Sequence, residues 1–143
     1  MAGVTITAMR YLAIDLGDKR TGLAMGDDLT RQAGPVDVIH ASDPGQLLRA
    51  IRAAIEEHGP DALVVGVPYN IDGSTGSQAK KALALVALLE QATGLPVHPM
   101  DERLTTFQAD DMLKQSGLTH KQKKERRDAI AAAAILRDFL ASR

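Results

Sequence analysis

Carboxylates stand at three places in this sequence where an apolar run meets polar residues, and each place also offers something that favours a phosphate or a cation. Asp15 follows Tyr11-Leu12-Ala13-Ile14 and precedes Gly17-Asp18-Lys19-Arg20-Thr21-Gly22, a glycine turn carrying two cations. Asp15 either caps that turn beside a solvated hairpin tip, or holds a metal while the turn's backbone and cations meet a phosphate. Asp101-Glu102-Arg103 ends a second apolar run and leads into Thr105-Thr106, whose hydroxyls and helical N–H groups favour anions. An exposed capping cluster is the plainer reading of that group. Asp128 stands before Ala129, Ala131, Ala132, Ala133 and Ala134, interleaved with Ile130, Ile135, Leu136 and Phe139. So many small residues let a helix lie close to a sheet and bring a first-turn carboxylate to a strand end. Acids also favour the first turn for the helix dipole alone.

Taken together the three acids suggest one chemistry. Hard oxygen ligands suit Mg²⁺ or Mn²⁺, which bind substrate phosphates while keeping several waters. Two such ions about 4 Å apart can activate water and stabilise the leaving oxygen in phosphodiester hydrolysis. Lys121, Lys123, Lys124, Arg126 and Arg127 lie just ahead of Asp128. They form a solvated connector or, at the mouth of an acidic site, a grip on a polynucleotide backbone. His40, His58, His98 and His120 show no metal-type spacing.

Composition narrows the choice. The 143 residues are 45% hydrophobic and 24% charged, with a net charge of -1 and no Cys, the profile of one soluble globular domain. Without Cys there is no thiol nucleophile, thiolate zinc site or disulfide, which fits a reducing cytoplasm. Near-neutrality argues against a carpet-like nucleic-acid coat but allows a local basic site. Tyr11, Tyr69, Phe107 and Phe139 are too few for a base-stacking platform. The longest apolar runs, residues 82–89 and 129–136, fall far short of the roughly 18 residues that span a bilayer, and no secretory signal is expected. The expected location is cytoplasmic, with no membrane partner.

The elements that must position these acids follow from periodicity. Strands are expected over residues 10–16, 21–25 and 35–39, as a meander. A helix follows from Ser42-Asp43-Pro44 to Gly59-Pro60, where Leu47, Leu48, Ile51, Ala54 and Ile55 recur at helical spacing. Residues 62–67 read as a strand buried on both faces. The loop 68–76 leads to a helix over about residues 77–93, closed by Gly94, and to a strand over 95–100. A short helix from Thr105 or Thr106 to Gly117, a basic connector and a last helix over 126–141 complete the chain. The order predicts an α/β fold with one five-stranded mixed sheet, the meander plus two parallel strands, flanked by helices. Residues 10–141 form the domain and residues 1–9 a short N-terminal extension. Ligands of such sheets bind at the carboxyl ends of the parallel strands, where the acidic motifs fall.

Four ordered motifs resemble the YqgF/RuvX family, which is related to RuvC resolvases within the RNase H-like superfamily. They are residues 14–22, Gly66-Val67-Pro68 with Asp72-Gly73-Ser74 and Gln78, residues 101–106, and Asp128-Ala129-Ile130-Ala131-Ala132. The resemblance implies an RNase H-like fold and a nuclease dependent on Mg²⁺ or Mn²⁺. It implies an acidic triad of Asp15, Glu102 and Asp128 as catalytic metal ligands. Phosphate positioning would fall to Lys19, Arg20, Asn70, Arg103, Thr105, Lys124 and Arg127. The wider superfamily places its second acid at the end of the fourth strand, whereas that strand here ends in Gly66-Val67-Pro68. Asp72 or Asp101 is therefore an alternative ligand to Glu102. The implied substrate is the 5′ end of precursor 16S ribosomal RNA. The alternatives are branched DNA cut by a resolvase acting as a homodimer, a non-catalytic RNA-binding ribosome-assembly factor, and an ATP-binding module suggested by Asp15-Leu16-Gly17.

Overall fold

Alternation along the buried strands divides the core in two. In the computed structural model, which describes residues 7–104, 117 and 119–143, the sheet is built from β1 (Arg10–Asp15), β2 (Arg20–Asp27), β3 (Ala33–His40), β4 (Ala62–Val67) and β5 (Val97–Asp101). Their order is β3-β2-β1-β4-β5. The β1–β2 and β2–β3 pairs are antiparallel, and β1–β4 and β4–β5 are parallel. Leu12, Ile14, Leu23, Leu63 and Val65 face one way, into the cluster completed by α1 (Pro44–His58) and α2 (Ser77–Thr93). Tyr11, Ala13, Ala24 and Val64 face the other way, against the last helix, α3 (His120–Ala141). The expected mixed sheet of a meander and two parallel strands is present, with strand ends shifted by one or two residues.

Local signals account for the helix ends. Asp43 Oδ1 accepts from Gly45 N at 2.9 Å and Pro44 opens α1, while Gly59, at φ 61°, closes it with a bond to Ile55 O. Gly94 closes α2 at φ 71°, a left-handed conformation that glycine adopts without a side-chain penalty.

The last helix departs from expectation. It starts at His120, capped by Thr119, whose Oγ1 accepts from Gln122 N while Gln122 Oε1 accepts from Thr119 N. The basic residues Lys121, Lys123, Lys124, Arg126 and Arg127 are therefore its first two turns and not a connector. Asp128 lies in the third turn, past the reach of the helix dipole, so it is not a first-turn acid. Periodicity missed this because residues 120–128 carry no apolar repeat. The Thr119-x-x-Gln122 capping box was the readable signal. The helix expected between Thr105 and Gly117 lies outside the described residues, as does Thr105. Among the described residues no helix is long and apolar enough to cross a membrane.

Small residues set how closely α3 approaches the sheet. It lies across β1, β2 and β3, with Ala132 and Ala133 fully buried in the contact. A Cβ on Gly22 would overlap the backbone of Asp128 and Ala129. Gly22 is the residue of β2 paired with Asp15. The same contact that seats the helix thus delivers Asp128 to the end of β1.

Candidate active site

Asp15 ends β1, Glu102 follows β5 as the first residue of a short 3₁₀ turn (Glu102–Leu104), and Asp128 comes from α3. The parallel pairing of β1, β4 and β5 puts the first two at the same edge of the sheet. β4 contributes an absence of side chain: a Cβ on Gly66 would collide with Glu102 Oε1 and Ile135 Cδ1. Glu102 therefore lies over the end of β4, in the space that a side chain there would fill. This is the structural counterpart of the missing acid on the fourth strand.

The electrostatics record the crowding. Burial pushes the Asp15 carboxyl up to about 8, helped by the charge of Glu102, a hydrogen bond with Glu102 and the charge of Asp128. Glu102 is also raised, by burial and by the charge of Asp101, although its bond with Asp15 pulls the other way. Crowding thus favours the protonated form at both carboxyls, most strongly at Asp15. Asp128 Oδ2 lies 3.3 Å from Arg20 Nε, yet that N–H is not directed at it, and the oxygen is buried without a hydrogen bond. Among the described residues no three acids or histidines already converge as a metal cage. The acids instead satisfy one another, Asp15 with Glu102, while Asp128 lies beside Arg20.

This donor set fits a hard divalent cation. All three side chains offer carboxylate oxygen, the protonated form favoured at Asp15 and Glu102 marks a place where positive charge is wanted, and Asp128 Oδ2 is an unsatisfied acceptor.

The alternative acids are otherwise engaged. Arg103 donates to Asp101 from Nε, 3.2 Å from each carboxylate oxygen, and from Nη2 at 2.8 Å. That fork holds Asp101 below the usual carboxylate range. Asp72 is exposed and accepts from Ser74 N and Oγ at 2.9 and 2.6 Å. Both are committed to local structure.

The expected phosphate contacts separate into groups. Arg20 stands beside Asp128, and Lys19 is exposed in the β1–β2 turn. Asn70 braces the loop after β4, donating from Nδ2 to Ser74 Oγ at 2.9 Å. Arg103 reaches Ile71 O at 3.4 Å and lies 5.6 Å over the Tyr69 ring. Lys124 is in the second turn of α3 and Arg127 is exposed beside Asp128. Arg126 lines a cavity of about 320 Å³ between β3 and α3 with Asp37 and His40. Reasoning from sequence missed the Gly66 clearance and the Lys81–Asp18 ion pair at 3.2 Å that ties α2 to the β1–β2 turn. No local signal marks either, because both depend on which segments the fold brings together.

A mixed sheet of this order flanked by helices is the RNase H-like fold, and its candidate acids lie at the ends of the parallel strands and on the last helix. Solved structures agree on the fold. RuvC of T. thermophilus, in complex with a Holliday junction substrate, superposes with a TM-score of 0.59 at 17% identity, covering 94% of each chain. The fowlpox virus Holliday junction resolvase gives 0.58 at 12% identity, covering 94% of this chain and all of that one. Residues 9–142 match the family described as "RuvX: Holliday junction resolvase", and the chain belongs to that family. Its relatives include proteins named "Putative pre-16S rRNA nuclease". One from Anaeromyxobacter sp. (strain Fw109-5) is 43% identical over 135 residues, 94% of this chain and 98% of the relative. Another from Lachnospira eligens is 38% identical over 138 residues, covering 94% and 99%.

Proposed function

We propose that this protein is a cytoplasmic nuclease that hydrolyses phosphodiester bonds of precursor 16S ribosomal RNA near its 5′ end, with Asp15, Glu102 and Asp128 holding Mg²⁺ or Mn²⁺. The observation that carries this reading is the hydrogen-bonded meeting of Asp15 and Glu102 near the buried, unsatisfied Asp128 Oδ2. The substrate reading is supported by the names of relatives that align over nearly their full length with this chain. Bound metal would supply an activated water and stabilisation of the leaving oxygen.

The chain's own residues prepare that chemistry. Burial and the neighbouring acids favour the protonated form of Asp15 up to a pH of about 8, so a cation held there would compete with that proton, and affinity should rise with pH. Arg20 keeps Asp128 from facing solvent alone and remains half exposed, able to meet a phosphate. Lys19 follows Asp15 in the β1–β2 turn and Arg126 and Arg127 precede Asp128 on α3, positive charge that would give a local grip consistent with a net charge of -1. Arg103, pinned by Asp101, fixes the loop that Asn70 braces, at the same end of the sheet as Asp15 and Glu102.

The second reading, a resolvase acting on branched DNA as a homodimer, is favoured by the family's description. Purified protein incubated with labelled precursor RNA and with four-way DNA junctions, each with and without Mn²⁺, separates the two. Mn²⁺-dependent cleavage of the RNA alone supports our reading. Cleavage of the junction alone moves it to the resolvase, and cleavage of neither supports a non-catalytic RNA-binding assembly factor.

A further inference from the structure

The loop after β4 leaves the sheet at the same end of the parallel strands as Asp15 and Glu102, and it holds an apolar side chain out in solvent. Ile71 is 97% exposed, whereas the other exposed large apolar residues described, Met9, Leu29, Val36 and Leu88, lie between 38% and 62%. Scattered apolar residues at a surface are ordinary, so exposure alone says little. The setting says more. Asn70 N donates to Ser74 O at 3.0 Å and Gly73 N to Asn70 O at 2.8 Å, closing a tight turn around Ile71. The Asn70–Ser74 and Ser74–Asp72 side-chain bonds lock that turn. Arg103, the residue after Glu102, fastens the Ile71 carbonyl directly. Ile71 is thus a fixed protrusion whose backbone is tied to the Arg103–Asp101 fork, next in sequence to Glu102, and whose side chain has been denied the core.

Among the described aromatic residues, Tyr69 in the same loop lies under Arg103, while Tyr11 and Phe139 pack edge to face in the α3 core, with ring centroids 5.3 Å apart, at the opposite end of β1 from Asp15. Rigid aliphatic side chains of this size are used elsewhere as wedges between stacked bases, where they exchange stacking for apolar contact. The cost is least where stacking is already interrupted.

We propose that Ile71 is such a wedge, inserting at the end of a base-paired segment and holding the adjoining strand unstacked over Asp15, Glu102 and Asp128. It is a specificity residue that selects the boundary between paired and unpaired nucleic acid. The proposal rests on the nuclease reading above.

The test compares wild type with Ile71→Ala and Ile71→Leu. The substrates are an RNA hairpin with a single-stranded flank and an unpaired RNA of the flank sequence, with 2-aminopurine placed at the stem end of the hairpin. The ratio of kcat/KM for hairpin over unpaired RNA should fall about tenfold in Ile71→Ala, the scale of one lost base contact, and Leu should restore it. Hairpin binding without divalent metal should brighten 2-aminopurine with wild type and not with Ile71→Ala. An unchanged ratio, or equal fluorescence in both proteins, overturns the wedge. If wild type cleaves neither RNA, the nuclease reading fails while the fluorescence still decides the wedge.

Discussion

Asp15→Asn is expected to lower metal-dependent cleavage by more than the 10- to 100-fold typical of losing an outer-shell partner, and to stabilise the metal-free protein at alkaline pH. The stability effect follows from the proton that burial and the neighbouring Glu102 and Asp128 keep on Asp15 up to a pH of about 8, against 3.8 for an ordinary aspartate. Below pH 4 the folded and unfolded chains both carry it, and there is no penalty. Between about 4 and 8 the folded chain binds more protons than the unfolded one, so stability falls as pH rises. Above 8 the loss is complete and the curve levels. Asparagine has no proton to hold, so the variant lacks this slope. Its advantage over wild type should grow from pH 4 to pH 8, reaching roughly 2–4 kcal/mol, since each displaced pKa unit corresponds to about 1.4 kcal/mol and Glu102 shares part of the shift. Urea unfolding in EDTA at pH 5 and pH 8 reads the difference. A variant that tracks wild type at both values would mean that Asp15 is not crowded by the other acids.

Glu102→Gln should lose activity by a factor similar to Asp15→Asn, while Asp101→Asn, one residue earlier, should lose about tenfold or less. The two acids are neighbours in sequence with opposite directions in space. Asp101, still in β5 and paired with Val67, is gripped by Arg103. The 3₁₀ turn sends Glu102 over Gly66 to Asp15. Asp101→Asn keeps a side-chain oxygen for Arg103 but removes its charge, which loosens the fork and with it the Ile71 loop. The expected kinetic signature is a raised KM with kcat nearly kept. For Glu102→Gln the fall lies in kcat, because the amide offers no charged oxygen to metal. Steady-state kinetics in Mn²⁺ with thermal melting as a folding control distinguishes them. The reverse ranking would transfer the ligand role to Asp101.

Much of this arrangement is legible from residue types. The apolar run before Asp15, the β-branched run 62–67 and the Asp43-Pro44 and Gly59 caps are local signals, and each fixes its element in the fold. The meeting of Asp15 and Glu102 follows once the parallel strands are ordered. What escapes is contact between distant segments. Gly22 reads as part of a turn motif but works as the clearance for Asp128, 106 positions later. Gly66 reads as a strand glycine, yet its missing side chain admits Glu102. The start of α3 escapes for a different reason: nine residues with no apolar repeat fold as helix through a capping box and their continuity with a buried alanine-rich segment.

The central claim is that Asp15, Glu102 and Asp128 form one divalent-metal site. Crystals soaked in Mn²⁺ and measured for anomalous scattering test it most directly. An anomalous peak is expected between these three carboxylates, with the direct Asp15–Glu102 hydrogen bond broken and Asp101 still on Arg103. Manganese bound at Asp101 or Asp72, with Asp15 and Glu102 left paired, would contradict it.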